Sequence, residues 1–448
     1  MKYIISVLTL LSTLTPWRSE AQATSQQMET LTLEEAIALA LENNQSIRIE
    51  EKIVEIAESN VYPANADLLP TISLLGSAEY QNNDIDGTIR TFQENPPTAS
   101  FSDGSAATTT YTATLQADYV LLGGFTGKYR YEIIKDQRDQ AYLQQQALIN
   151  QTIVTVSDLF LEIAKLQSQE ELLEKNVRIG EDRLKRVEDQ LQFGRVTGLA
   201  VLRAKTDLNQ DLTALDQVLV AKNNLKRDLN FLIGLDAETR YRVSVTYQPP
   251  ALQPLEQLKD DVRSDNPEIQ LERLGVKIAD QQIQLNEADR LPKINAFANY
   301  NYFDQENDLQ QLAELQTRGF TLGVGLRYNL FSGGRTNRNI QQARLNQEAS
   351  QYRKQQTEDR ILAEAVKEQN NLNLLNAQLA REEENIDTFR ESYTRTEERF
   401  YNGKETSLDL RDAQNALLNA EVTINNLKAD IMKTSLRLEA LKGRLLTI

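Results

Sequence analysis

The side chains that carry most enzyme chemistry are missing from this chain. Its 448 residues include no histidine and no cysteine. That removes the commonest general base, the commonest soft metal ligand and all thiolate or disulfide chemistry. Carboxylates and cations remain, 65 Asp and Glu against 49 Lys and Arg, for a net charge of −16. Asp409 and Asp412 stand three residues apart, so a helix would carry both on one face. A carboxylate-based hydrolase is the enzymatic option left, but no polar constellation on a loop completes it. Nor is Gly127-Lys128 a phosphate loop: Leu122 stands where its first glycine belongs, and Tyr129 where its Ser or Thr belongs. The chain reads as no enzyme, without cofactor or metal. Its net charge argues against nucleic acid or an anionic membrane surface as partner, and no local basic patch stands out.

The first residues read as an export signal. Lys2 supplies the positive end, Ile4 to Leu14 a short apolar run, and Ala21-Gln22-Ala23 a cleavage site, so residues 1–23 are expected to be removed. No cysteine follows to take a lipid anchor. No other stretch approaches the roughly 18 consecutive apolar residues of a spanning helix. If this exported chain enters a membrane, it must do so with β-strands.

The elements that would position Asp409 and Asp412 occur twice. Ala66-Asp67-Leu68-Leu69-Pro70 matches Ala288-Asp289-Arg290-Leu291-Pro292 at a separation of 222 residues, as Asn44 matches Asn266. Further on the offset is 209: Tyr119 with Tyr328, Gly194 with Gly403, Thr197 with Thr406, Leu199 with Leu408, Ala204 with Ala413. The missing 13 residues are lost between proline and tyrosine. Each copy reads as short helix, strand, long loop, strand, very long helix, turn and second long helix. Repeat 1 is assigned to 24–233, a crossing segment with Pro249-Pro250 and Pro254 to 234–265, and repeat 2 to 266–448.

Thr32 and Glu35 form a capping box for a first helix, followed by helix up to Leu69. Strands are expected at about 71–82, 110–122, 294–303 and 319–331. Their apolar residues alternate with polar ones: Ile72, Leu74, Gly76, Ala78, Tyr80; Tyr111, Ala113, Leu115, Ala117, Tyr119; Ala296, Ala298, Tyr300, Tyr302; Phe320, Leu322, Val324, Leu326. Asn82 to Thr109 and Asp304 to Arg318 read as solvated loops. In the long helices Leu372, Leu379, Ile386, Tyr393 and Phe400 recur every seven residues, and so do Ile163, Glu170, Val177, Leu184 and Leu191. Sustained heptads mean coiled-coil packing. The hairpin tips fall at 194–198 and 403–407, where glycine suits a left-handed helix end and Thr197 or Ser407 can cap the next helix.

This order, the doubled Leu-Pro entries, Leu-Phe-Ser-Gly-Gly-Arg at 330–335 and Gly-x4-Leu-x4-Ala at both tips resemble the TolC family of outer membrane efflux proteins. The resemblance covers essentially all of the mature chain. It implies an α+β membrane protein: a trimeric 12-stranded β-barrel, four strands per subunit, continued by a long α-helical coiled-coil barrel. It implies a passive exit duct of a tripartite efflux or type I secretion system in a Gram-negative outer membrane. The partners would be two further copies of the chain, a periplasmic adaptor (membrane fusion) protein, an inner-membrane pump and outer membrane lipid. The rival reading is an exported trimeric coiled-coil stalk or adhesin without a channel.

By the same resemblance Gly194, Arg195, Val196, Thr197, Gly198 and Leu199, with Gly403, Lys404, Glu405, Thr406, Ser407 and Leu408, would meet the adaptor. Asp409 and Asp412, six and nine residues past the tip glycine, would form the pore constriction. Here the chain departs from the family. Glu405 replaces an arginine and Phe400 a tyrosine, while Ala200 and Arg203 stand at the copy-one positions. An ion pair from Arg203 to Asp409 or Asp412, between neighbouring hairpins, is the expected replacement.

Overall fold

The computed structural model describes residues 30–90, 98–251, 253–307 and 314–445. The signal segment expected at 1–23 lies outside them.

A short strand β1 (Thr30–Thr32) leads into helices α1 (Leu33–Asn43) and α2 (Gln45–Asn60), a long hairpin of β2 (Thr71–Arg90) and β3 (Thr98–Leu122), then α3 (Thr126–Gln192) and α4 (Gly198–Ile233). After β4 (Arg242–Ser244), which pairs in parallel with β1, the order returns: α5 (Leu255–Asp265), α6 (Pro267–Glu287), β5 (Lys293–Asn307), β6 (Glu314–Arg327), α7 (Arg335–Tyr401) and α8 (Ser407–Leu441). α3 and α7 have 67 residues each, about 100 Å at 1.5 Å per residue.

α5 lies 222 residues after α1, residue for residue. Leu31, Ala36, Ala40, Phe160, Ile163 and Leu229 form one core, and Leu258, Val262, Ile361, Leu372 and Leu438 form its counterpart. The second repeat therefore begins at Leu255, not at 266, and the crossing segment is shorter than expected. Proline-rich sequence just before α5 hid a helix whose only buried positions are Leu258 and Val262.

Asn44 and Asn266 explain why the duplication keeps them. Asn44 accepts from the N–H groups of Ser46 and Ile47, capping α2, and its amide donates to the Leu232 carbonyl at 3.1 Å. Asn266 accepts from Glu268 and Ile269, capping α6, and donates to the Leu441 carbonyl at 3.0 Å. Each asparagine thus satisfies both a helix start and the end of a return helix. Two more matched positions seal these junctions. At Gly234 (φ +73°) a Cβ would lie 2.4 Å from that of Asn43, and at Gly443 (φ +70°) one would lie 2.5 Å from the Asp265 carbonyl oxygen.

The helix expected up to Leu69 stops at Asn60, and Pro63 opens a short 3-10 turn instead. One stretch of α3 does reach the length and apolarity of a spanning helix. Its Val156, Phe160 and Ile163 are wholly buried in the core with Leu31 and Leu229, so packing accounts for their character.

The four long strands form one antiparallel sheet in the order β2-β3-β5-β6. The register puts Leu74 opposite Leu115, Leu115 opposite Tyr300, and Tyr300 opposite Phe320. Ile72, Ala117, Ala298 and Leu322 make the next row. Because side chains alternate, all four apolar sets share one face. That face is bare: Ile72, Leu74, Phe320, Leu322, Val324 and Leu326 are each two-thirds exposed or more. From Ile72 to Tyr80 it spans about 26 Å at 3.3 Å per residue. The other face carries Ser73, Ser77, Thr112, Gln116, Asn299, Asn301 and Thr321, with the Phe297 ring lying over Gly323. The segments read as loops, 82–109 and 304–318, are largely strand: β2 runs to Arg90, β3 starts at Thr98, β5 runs to Asn307 and β6 starts at Glu314.

Candidate functional site at the helical tips

The heptads deliver both tips to the end of the rod remote from the sheet. In α7 every heptad position from Leu372 to Phe400 is buried or half-buried. The helix then closes on a left-handed glycine. Gly403 has φ +71°, and the Lys404 N–H reaches back to the Arg399 carbonyl at 2.8 Å. Gly194 (φ +65°) does the same in α3, with Arg195 N–H on the Gln190 carbonyl at 2.9 Å.

The two turns then differ. Thr406, not Ser407, caps α8. The Asp409 N–H donates to Thr406 Oγ1 at 3.2 Å, and the Thr406 N–H donates to Asp409 Oδ2 at 2.9 Å. The bonds from the Thr406 hydroxyl and N–H hold the Asp409 carboxyl below its ordinary value. Thr197 occupies the equivalent position without a side-chain cap bond. Asp409 is exposed but already serves the helix start, whereas Asp412, one turn on, is exposed and outside that box.

Phe400 is 3 % exposed, packed with Val187 and Leu410 and flanked by Val196, Ala200, Val201 and Tyr393. It ties the two hairpins together and cannot line a pore from there. Glu405 reaches back to Arg399 Nε at 2.8 Å. Arg203 is exposed, and among the described residues its pair with Asp409 or Asp412 does not form within the chain. Around the turns Phe193, Leu199, Leu202 and Leu408 are exposed, beside Gly194, Gly198, Arg195 and Lys404.

Above this lies a polar cluster that sequence reasoning missed. Arg411 of α8 donates through both terminal nitrogens to Asp211 of α4, each at 2.6 Å, with the side chains 11 % and 7 % exposed. Arg183 of α3, 1 % exposed, reaches Asp207 at 3.2 Å. Burial, and then the charge of Arg411, push the Arg183 guanidinium below its ordinary value, while Asp207 and Asp211 oppose this. Gly180, at a heptad position, lets α4 pack close: a Cβ there would lie 3.3 Å from Leu208 Cδ1 and 3.6 Å from Asp211 Oδ2. The signal in the sequence was Asp211 itself, a carboxylate on the apolar stripe of α4.

The profile of the outer membrane efflux protein family matches residues 36–236 and 258–444. The chain is 21 % identical to the outer membrane efflux protein BepC of Brucella suis, over 92 % of this chain and 86 % of that one. Its fold is similar to that of CusC (TM-score 0.75, 17 % identity, 92 % of each chain). It is also similar to that of the Vibrio cholerae outer membrane protein VceC (TM-score 0.74, 18 % identity, 92 % of this chain and 96 % of that one).

Proposed function

The chain belongs to the outer membrane efflux protein family, and on that footing we propose that three copies close into one continuous duct. The protein is an outer membrane exit duct for efflux. One observation carries the assembly. Four strands present a single bare apolar face, while β2 and β6 are edge strands with unpaired backbone. An open edge cannot persist in lipid, where each unpaired backbone group costs several kcal/mol. Pairing β2 of one copy with β6 of the next removes every edge, and natural single-chain barrels begin at eight strands. Three copies supply twelve, apolar face outward.

The helical hairpins would then continue the barrel as a tube, passive in itself and driven by an inner-membrane pump through a periplasmic adaptor. The exposed apolar residues at the tips, Phe193, Leu199 and Leu408 beside Arg195 and Lys404, fit a protein partner. Asp412, with Asp409 as the anchored member, is the carboxylate free to face a central pore. Six carboxylates on a three-fold axis would favour cations. A coiled-coil stalk gives no reason for a continuous, two-thirds-exposed apolar face on a sheet.

Fractionation and planar-bilayer recording test this reading. The mature protein should stay in the outer membrane through high-salt and urea washes, and single insertions should conduct. Release by the washes, or silent bilayers with protein incorporated, would exclude the duct.

A further inference from the structure

We propose that the corner between β6 and α7 is a binding site for anionic phospholipid headgroups. The proposal rests on the barrel reading and adds a lipid class and a place. Leu330 and Phe331 are 86 % and 88 % exposed, the two most exposed large apolar side chains among the described residues. They follow directly on the apolar face of β6 and precede the start of α7 at Arg335. A segment so placed sits where hydrocarbon gives way to headgroups.

The charge there runs against the rest of the molecule. In a chain of net charge −16, no acidic residue occurs between Glu314 and Glu348, while five arginines do. Arg335 and Arg338 are exposed one turn apart on α7. Arg290, also exposed, donates to Asn337 Oδ1 at 2.8 Å, which brings a third guanidinium to the same helix start. None of the three forms an ion pair within the chain among the described residues. The nearby carboxylates are already matched, Asp289 by Lys293 at 2.9 Å and Glu287 by Arg344 at 3.0 Å. The expectation that no basic patch exists is thus overturned. Arg290 and Arg335 are 45 residues apart in sequence, and only the β5–β6 hairpin brings them together.

Guanidinium groups bind phosphate through paired N–H donors, and basic clusters beside a membrane select anionic lipids. An anionic phospholipid satisfies both halves of this corner, its phosphate on the arginines and its chains against Leu330 and Phe331. The first repeat keeps the apolar half in Leu121, Leu122 and Phe125, all exposed, but has Thr126 and Tyr129 where Arg335 and Arg338 stand. Each subunit therefore carries one such site.

The test uses the mature protein, purified in mild detergent and equilibrated with equal amounts of phosphatidylglycerol and phosphatidylethanolamine, with retained lipid counted by native mass spectrometry. The wild type should retain phosphatidylglycerol over phosphatidylethanolamine by at least about fivefold, the contribution of a single arginine near a membrane surface. Arg335→Gln with Arg338→Gln should bring the ratio close to one, and Arg335→Lys with Arg338→Lys should keep most of the preference. Unchanged elution and helical circular dichroism show that each variant has folded. Equal retention of the two lipids by the wild type, or undiminished preference in the glutamine variant, overturns the headgroup site and leaves the barrel untouched. Retention of neither lipid overturns the site as well, whereas the barrel stands or falls on the fractionation and bilayer recording above.

Discussion

Asp211→Ala should loosen the joint between the two helical hairpins more than any surface change at the tips. Arg411 gives Asp211 two bonds of 2.6 Å in a setting where both side chains are about nine-tenths buried. Alanine would strand the Arg411 charge and leave it facing Arg183, whose Nε and Nη1 have no hydrogen-bond partner among the described residues. Breaking a buried pair on one side costs about 3–5 kcal/mol. The double replacement Asp211→Leu with Arg411→Leu removes both charges and should come within about 1 kcal/mol of the wild type. Hydrogen exchange on the assembled protein reads this locally, in peptides covering 176–190, 204–218 and 407–420. A loss of 3 kcal/mol or more accelerates exchange there by on the order of a hundredfold. The reasoning fails if Asp211→Ala changes exchange less than tenfold, or if the double variant exchanges as fast as the single one.

Three further outcomes follow from the same geometry. Asp409 has its carboxyl pulled below the ordinary value of 3.8 by Thr406, so its support of the α8 cap is present in full above that value and lost as pH falls below it. Amides 406–410 should exchange faster at pH 3 than at pH 6, after correction for intrinsic rates, and Asp409→Asn should abolish the difference. Gly443→Ala should cost several times more thermal stability than Gly403→Ala. Both sites have positive φ, worth roughly 1–2 kcal/mol, but only at Gly443 does the added methyl meet backbone, at 2.5 Å. Asp412→Ala with Asp409→Ala should reduce cation selectivity and block by multivalent cations in single-channel records, with Asp412→Ala alone giving most of the effect. Unchanged selectivity in the double variant would remove both residues from the pore.

Much of this molecule was legible because its rules are local and were written twice. Heptads, alternating strands and left-handed glycines are written in neighbouring residues and the Asn44–Asn266 match in the duplication, so pattern alone reveals them, although each asparagine also bonds a carbonyl far along the chain. The strand ends were missed because beyond the apolar band the sequence is mostly polar and stops alternating. There a ladder of backbone bonds to the facing strand holds the chain extended, and Asn, Asp, Ser and Gly carry no sign of it. The start of repeat 2 was missed because α5 owes its place to the core of α7 and α8. Asp409 and Asp412 looked equivalent at a spacing of three, until the turn drew one of them into the helix cap.

What the sequence by itself determined is the long strands, the long helices and their duplication, since helical and strand periods are properties of one segment in water or lipid. Tertiary structure alone decided which charges meet. Asp211 with Arg411 are 200 residues apart, and Arg290 stands beside Arg335 and Arg338 across a hairpin. Coulombic and hydrogen-bond energies depend on distances in space of a few ångströms, and no spacing along the chain encodes those until the helices and the sheet have packed.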